Sequence, residues 1–188
     1  MYVKGLAYLC AMRLSAAIQL LDHPALRSII ATSPVCWADL GCGEGLFTEA
    51  LAHLLPRRSA VYGVDLRPKL HSDVVNGVSL IPFYADFIRM PLPTEVDGFL
   101  LANALHYVED KPAFFGTLTT YYRNSPQKGP LLIVEYDTDR PVEQWVPWPV
   151  SFASLRPLLQ AAGWASVQQL GTVQSVYGGT MYAALALP

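Results

Sequence analysis

The run Val35-Cys36-Trp37-Ala38-Asp39-Leu40-Gly41-Cys42-Gly43-Glu44-Gly45 constrains this chain more than any other stretch. It begins as a short apolar segment of strand character and passes into a loop with glycines at 41, 43 and 45. Glycine reaches backbone conformations closed to other residues and lets a ligand lie against the main chain. Leu46, Phe47, Ala50, Leu51, Leu54 and Leu55 then recur at helical spacing, so a helix opens directly after the loop. A strand, a glycine loop and a helix in that order mark the strand end where open α/β sheets bind ligands.

Spacing and charge narrow the ligand. Dinucleotide-binding loops follow G-x-G-x-x-G. Here the third glycine comes one position early, and Leu46 stands in its place. A pyrophosphate also favours the positive end of a helix free of acidic neighbours. This loop carries Asp39 and Glu44. Two carboxylates repel a diphosphate and suit a ligand bearing an ammonium and a sulfonium, as S-adenosylmethionine does. A nicotinamide-dependent oxidoreductase is disfavoured on the same grounds.

Asp39-Leu40-Gly41-Cys42-Gly43-Glu44-Gly45 resembles motif I of the class I S-adenosylmethionine-dependent methyltransferases. The resemblance extends through Asp65, Asp86, Asn103-Ala104-Leu105-His106-Tyr107-Val108 and Leu131 to Tyr136. It implies an α/β fold: a doubly wound, mostly parallel seven-stranded sheet with helices on both faces and the last strand antiparallel. It implies S-adenosylmethionine as cofactor, held at the loop by Asp39, Gly41, Cys42, Gly43 and Gly45. Asp65, with Leu66 beside it, would hold the ribose hydroxyls. Asp86 would bond the adenine amino group while Phe87 covers the ring. Asn103 and Ala104 would contact the methionine part, largely through backbone.

The residues themselves leave alternatives at two of these places. Asp65 closes the apolar run Ala60 to Val64, and the alternative is a helix or turn cap ahead of Pro68. For Asp86 the alternative is an Asp that turns the chain before Pro91 and Pro93. Pro82, inside the run Val78 to Tyr84, cannot donate to a ladder and belongs at a sheet edge. The connection from Leu66 to Gly77 is short. Gly98 to Ala102 and Leu131 to Val134 read as strands buried on both faces. A weak helix is expected over 109–123, a firmer one over 154–162, and two final strands over 167–170 and 181–187.

With 188 residues, 52% hydrophobic and only 15% charged, the chain can bury a sizeable core. It reads as one domain over 1–188, with an N-terminal helical cap over 1–31 and a catalytic core over 35–188. Net charge is −2 and only Arg57-Arg58 are adjacent basic residues, so there is no basic face for nucleic acid. Cys10, Cys36 and Cys42 lack metal-ligand spacing, so no metal is expected, and reduced thiols point to the cytoplasm. Arg13 interrupts the apolar start, which has no clear signal cleavage site and is too short to span a membrane. No oligomeric state follows from the sequence.

Methyl transfer from a sulfonium requires alignment and exclusion of water, and a base only where the acceptor must lose a proton. The unperturbed pKa of a histidine lies near neutral, so His106, with Tyr107, is the candidate catalytic group; the alternative is a helix-start residue packing under the loop. Thr138 to Ser151 is a long loop carrying Trp145 and Trp148 among three prolines. These tryptophans read as the wall of an acceptor pocket capped by the N-terminal helix around Tyr2 and Tyr8, with His106 and Tyr107 at its floor; the alternative for the loop is a structural cover for the next helix. The expected partner is a small, apolar or aromatic methyl acceptor, its accepting atom left open. The alternative is a non-catalytic S-adenosylmethionine-binding or partner subunit of the same fold. Decay of the glycine loop or its acidic residues would mark such a subunit, and neither has decayed.

Overall fold

The computed structural model describes residues 12–30, 32–89, 92–125, 127–142, 145–175 and 178–188. In chain order the elements are α1 (Leu14–Leu21), α2 (Pro24–Ile30), β1 (Cys36–Leu40), α3 (Leu46–Ala52), β2 (Ala60–Asp65), β3 (Asp73–Val75), β4 (Val78–Tyr84), β5 (Gly98–Ala102), α4 (Lys111–Leu118), β6 (Leu131–Tyr136), α5 (Phe152–Ala161), β7 (Ser166–Gln174) and β8 (Thr180–Leu187). The strands form one sheet in the order β3-β4-β2-β1-β5-β6-β8-β7. From β4 to β6 neighbours pair in parallel; β8 runs antiparallel between β6 and β7.

The period of two along the central strands builds two separate cores. Phe99 and Leu101 of β5, Leu131 and Ile133 of β6, and Tyr182 and Ala184 of β8 face α4 and α5. Leu100, Leu132, Val134, Ala183 and Leu185 face the other way, against α1, α2 and α3. Helices therefore cover both faces, which is why these strands are continuous apolar runs rather than alternating ones. The described part of the N-terminal cap, α1, packs on α3 and β7. Tyr2 and Tyr8 lie outside the described residues.

The sheet has eight strands, not seven, and the extra one has a clear local cause. Asn76 and Gly77 both have positive φ, 52° and 82°. Two such residues make the two-residue hairpin turn that Asn-Gly favours, and it folds β3 back onto β4. The supposed short connection after Asp65 thus holds an edge hairpin. β3 reaches only Val78 to Leu80. Pro82 lies beyond it, so the edge argument for that proline holds locally.

α4 is shorter than the sequence suggests. Asp110 caps it, accepting a bond from the Ala113 amide at 2.9 Å. A single tight turn, Thr119–Tyr121, follows its end. α5 starts at Phe152 because Ser151 accepts the Ser154 amide at 3.2 Å, while Asp139 holds both serines and Asp137 the Phe152 amide.

β1 and β5 are neighbours, with β2 and β4 built outward on one side and β6 on the other. Chain order therefore reverses between β1 and β5, and the loops that leave their ends diverge there. Their close spacing has one evident contact. Gly98 pairs with Trp37, and an added Cβ would meet the indole at 2.5 Å. Trp37 is fully buried and has no room to yield. Gly98→Ala is expected to destabilise the protein by about 1–3 kcal/mol through overpacking, checked by thermal or urea unfolding; an unchanged midpoint would show that the indole moves freely.

Candidate functional site

The glycine loop begins where β1 ends. The amides of Gly41 and Cys42 both reach the Val64 carbonyl, at 2.7 and 3.1 Å, tying the loop to the neighbouring strand. Gly41, Gly43 and Gly45 all have positive φ, 78°, 53° and 85°. Gly41 also permits a close approach. A Cβ there would stand 2.6 Å from that of Ala104 and 3.3 Å from the Phe87 ring. The loops after β1, β4 and β5 therefore converge on one glycine. A Cβ on Gly43 would meet nothing within 4 Å, so the backbone there presents an open face.

Asp39 is buried at 1% exposure. Its Oδ2 accepts the Thr48 hydroxyl at 2.6 Å, and its Oδ1 has no partner among the described residues. Burial pushes its carboxyl up from the ordinary 3.8 to about 7; the Thr48 bond opposes this, and the charge of Asp65 adds to it. Asp65 accepts the Gly43 amide at 3.1 Å and the Arg67 amide at 2.9 Å. One carboxylate thus sets the glycine loop and the turn after β2 together.

Glu44, by contrast, points away from the site. It pairs with Lys69 at 2.7 Å on an exposed surface, and that ammonium holds its carboxyl below the ordinary value. The repulsion of phosphate inferred from this loop rests on Asp39 and Asp65 instead. The Cys42 thiol is pushed well up by burial, with Asp39 and Asp65 adding to it, so it stays neutral. Leu66 is exposed beside Asp65. Asp86 accepts the Ile88 amide at 3.0 Å, and Arg89 lies 3.4 Å from its other oxygen. Phe87 packs edge-on to Phe114, with ring centres 6.1 Å apart.

The loop after β5 carries the other half. Asn103 is held at φ 54°, its amide bonded to the Val134 carbonyl at 2.8 Å. Its Oδ1 is buried without a partner among the described residues. His106 follows on a tight turn, Leu105–Tyr107, and is 2% exposed. Its Nδ1 lies 2.9 Å from Oε2 of Glu135, and its amide donates to Oε1 at 3.0 Å. Tyr107 is 44% exposed, its ring centre 4.3 Å from that of His106.

A cavity of about 590 Å³ opens beside these residues, lined by Asn103, His106, Tyr107, Tyr136, Arg140 and Trp145 among others. Trp148 lines a separate depression of about 390 Å³ with Tyr107, Ile88 and Phe114. The two tryptophans thus sit on either side of Tyr107. Trp148 is fixed through its backbone: its amide donates to the His106 carbonyl at 3.0 Å, and its carbonyl accepts the Lys111 ammonium at 2.7 Å. Burial holds the Lys111 pKa below its ordinary value, against the opposing charge of Glu135.

Sequence reasoning missed Glu135, Thr48 and Lys111. Glu135 had a visible signal: one carboxylate ending an otherwise apolar run, Leu131-Leu132-Ile133-Val134. Among the described residues no group of three His, Cys, Asp or Glu could hold a metal, and no helix is long and apolar enough to cross a membrane.

The residues fit S-adenosylmethionine. An orphaned buried carboxylate oxygen, a glycine face open to a ligand and a neighbouring Asp at a strand end suit a cationic, ribose-bearing molecule. Asp39 makes one expectation specific. Its raised pKa means that the folded protein holds a proton that the unfolded chain has lost, so stability falls as pH rises from about 4 to about 7. Asp39→Asn is expected to flatten this decline in thermal unfolding of the ligand-free protein; an identical slope in both would remove Asp39 as its source. Asp65→Ala is expected to weaken cofactor binding by about 1.5–3 kcal/mol by calorimetry, and analogues lacking the ribose hydroxyls should lose less on the variant than on the native protein.

A family model described as "Methyltransferase domain" matches residues 38–124. No curated protein sequence matches the chain. Three solved structures share the architecture. A SAM-dependent methyltransferase from Aquifex aeolicus is 16% identical with TM-score 0.56, over 94% of this chain and 98% of that one. The DhpI–SAH complex is 20% identical with TM-score 0.59, over 93% and 85%. The plantazolicin methyltransferase BpumL in complex with SAH is 15% identical with TM-score 0.60, over 93% and 82%. These likenesses establish the fold, and the match of residues 38–124 to a methyltransferase domain supports an S-adenosylmethionine-dependent methyltransferase.

Proposed function

We propose that this enzyme methylates a small, apolar or aromatic molecule held in the cavity beside His106. One observation carries the reading: the cavity adjoins Asn103 and His106, just past the end of β5, and Ala104 between them lies against Gly41 of the glycine loop. An acceptor there and a cofactor on the loop would be neighbours. Most of the named lining is aromatic or uncharged, with Arg140 and Asp137 the charged members. Such a pocket favours a planar guest with few polar anchors.

The parts divide as follows. Asp39, Gly41, Cys42, Gly43 and Gly45 would take the methionine end of the cofactor, with Asn103 and Ala104 opposite. Asp65 and Leu66 would take the ribose, Asp86 and Phe87 the adenine. When bound, the cofactor supplies an activated methyl group on a sulfonium. The chain orients the acceptor, keeps water out and, through His106 and Tyr107, faces the reacting atom. Trp145 walls the cavity directly; Trp148 acts from the neighbouring depression, through Tyr107.

The experiment is calorimetry with S-adenosylmethionine and SAH, followed by a screen of small methyl acceptors. Binding in the low-to-middle micromolar range is expected, roughly −6 to −8 kcal/mol. Gly43→Val should abolish it while the fold survives, because the branched side chain would project from the open face of the loop at a left-handed φ. Native-like binding by Gly43→Val would place the cofactor elsewhere. Binding without turnover of any acceptor would favour a non-catalytic subunit.

A further inference from the structure

We propose that Glu135 holds His106 as a general base, and that the acceptor is therefore a neutral hydroxyl compound, phenolic or enolic, methylated on oxygen. The inference rests on the acceptor cavity described above and names its substrate class.

The pair is buried almost completely, with side chains 3% and 1% exposed. Both carboxylate oxygens of Glu135 lie within reach of Nδ1, at 3.1 and 2.9 Å. The His106 amide and, more weakly, the Tyr136 amide at 3.3 Å also donate to this carboxylate. An ionised carboxylate only accepts. It therefore places the neutral imidazole proton on Nδ1 and leaves the lone pair on Nε2, the nitrogen that Glu135 does not engage. His106 also lines the cavity. A carboxylate buried in an apolar strand is costly unless bonded, and here most of its bonds go to one histidine.

From α4, Lys111 gives its ammonium to the carbonyls of Val108 and Trp148. Tyr107 and Tyr136 flank the imidazole, and Tyr182 of β8 stands in register with Glu135. Asp137 and Arg140 line the same cavity. The Tyr182 hydroxyl donates to the Val150 carbonyl at 2.9 Å, and Asp137 accepts the Phe152 amide.

A positioned base selects among acceptors. A neutral amine attacks with its own lone pair and loses its proton afterwards. A thiol ionises by itself near pH 8.5, whereas a phenol needs a pH of about 10. A hydroxyl acceptor therefore gains most. Its O–H bond breaks and the proton passes to Nε2. The oxygen pair forms the new bond to the methyl carbon, and the carbon–sulfur pair stays on sulfur, leaving a neutral thioether. His106 then returns the proton to solvent. Glu135 is a positioning residue, since it acts through His106.

Two measurements test this. The first is imidazole ¹⁵N NMR of the native protein without acceptor, with His106 identified by its absence in H106Q. His106 should show the Nδ1–H tautomer, lost in E135Q and regained in part by E135D. An Nε2–H tautomer in the native protein overturns the proposal. The second is turnover of catechol, aniline and thiophenol, with SAH calorimetry on each variant. Catechol should be the preferred acceptor, with kcat falling about 100-fold in E135Q, KM little changed, and E135D intermediate. The acid limb of the native pH profile should vanish in H106Q. SAH affinity should stay within about twofold in E135Q. Preferred methylation of aniline or thiophenol at equal rates in native protein and E135Q overturns the proposal and leaves the methyltransferase intact. Loss of SAH binding by the native protein would instead remove the cofactor reading beneath it.

Discussion

The site depends on how closely the backbone at Gly41 approaches Ala104. With no side chain between them, the end of β1 and the end of β5 share one contact surface, and Phe87 closes it from the third loop. Any larger residue at 41 would push these loops apart. The reversal of chain order between β1 and β5 opens a cleft, but the small residues decide how narrow it is. The same few backbone atoms therefore bring three loop ends to one place.

Around that contact the polar groups are few and each is used twice. Asp65 orders the glycine loop through the Gly43 amide while standing at the strand end where a ribose would lie. Asp39 holds Thr48 at the start of α3 with one oxygen and keeps the other free. An uncompensated buried carboxylate is tolerated only where something else in the structure over-determines it. In this fold that something is the hydrogen-bonded loop and the two helix-covered sheet faces.

Much of this could be read from residue order. The parallel centre follows from apolar runs at 36–40, 98–102 and 131–134, and the glycine loop from its spacing. The edge hairpin was equally legible, in Asn76-Gly77, but twelve residues between two strands invite the reading of a plain connection. Other features were not legible because they arise only across the sheet. Glu44 and Asp39 look alike in sequence, yet one lies in solvent beside Lys69 and the other is sealed beneath the loop. Glu135 meets His106 from 29 positions away. Only the pairing of β5 with β6 brings their ends together. Trp145 and Trp148 are three residues apart, yet they face different hollows because the loop is fastened at 148.

That fastening has a consequence for how such an enzyme can change its clientele. Trp148 hangs by its amide from the turn that carries His106, and by its carbonyl from Lys111. Thr138, Arg140, Val142, Trp145 and Val146 line the cavity beside His106 and precede that anchor in the chain. On the proposed reading, substitutions at Arg140, Val142 or Trp145 would change what the cavity admits while the two bonds at Trp148 still hold the turn that carries His106. On the proposed reading, acceptor range and proton handling would be separable, and a lineage built on this plan could explore new guests one wall residue at a time.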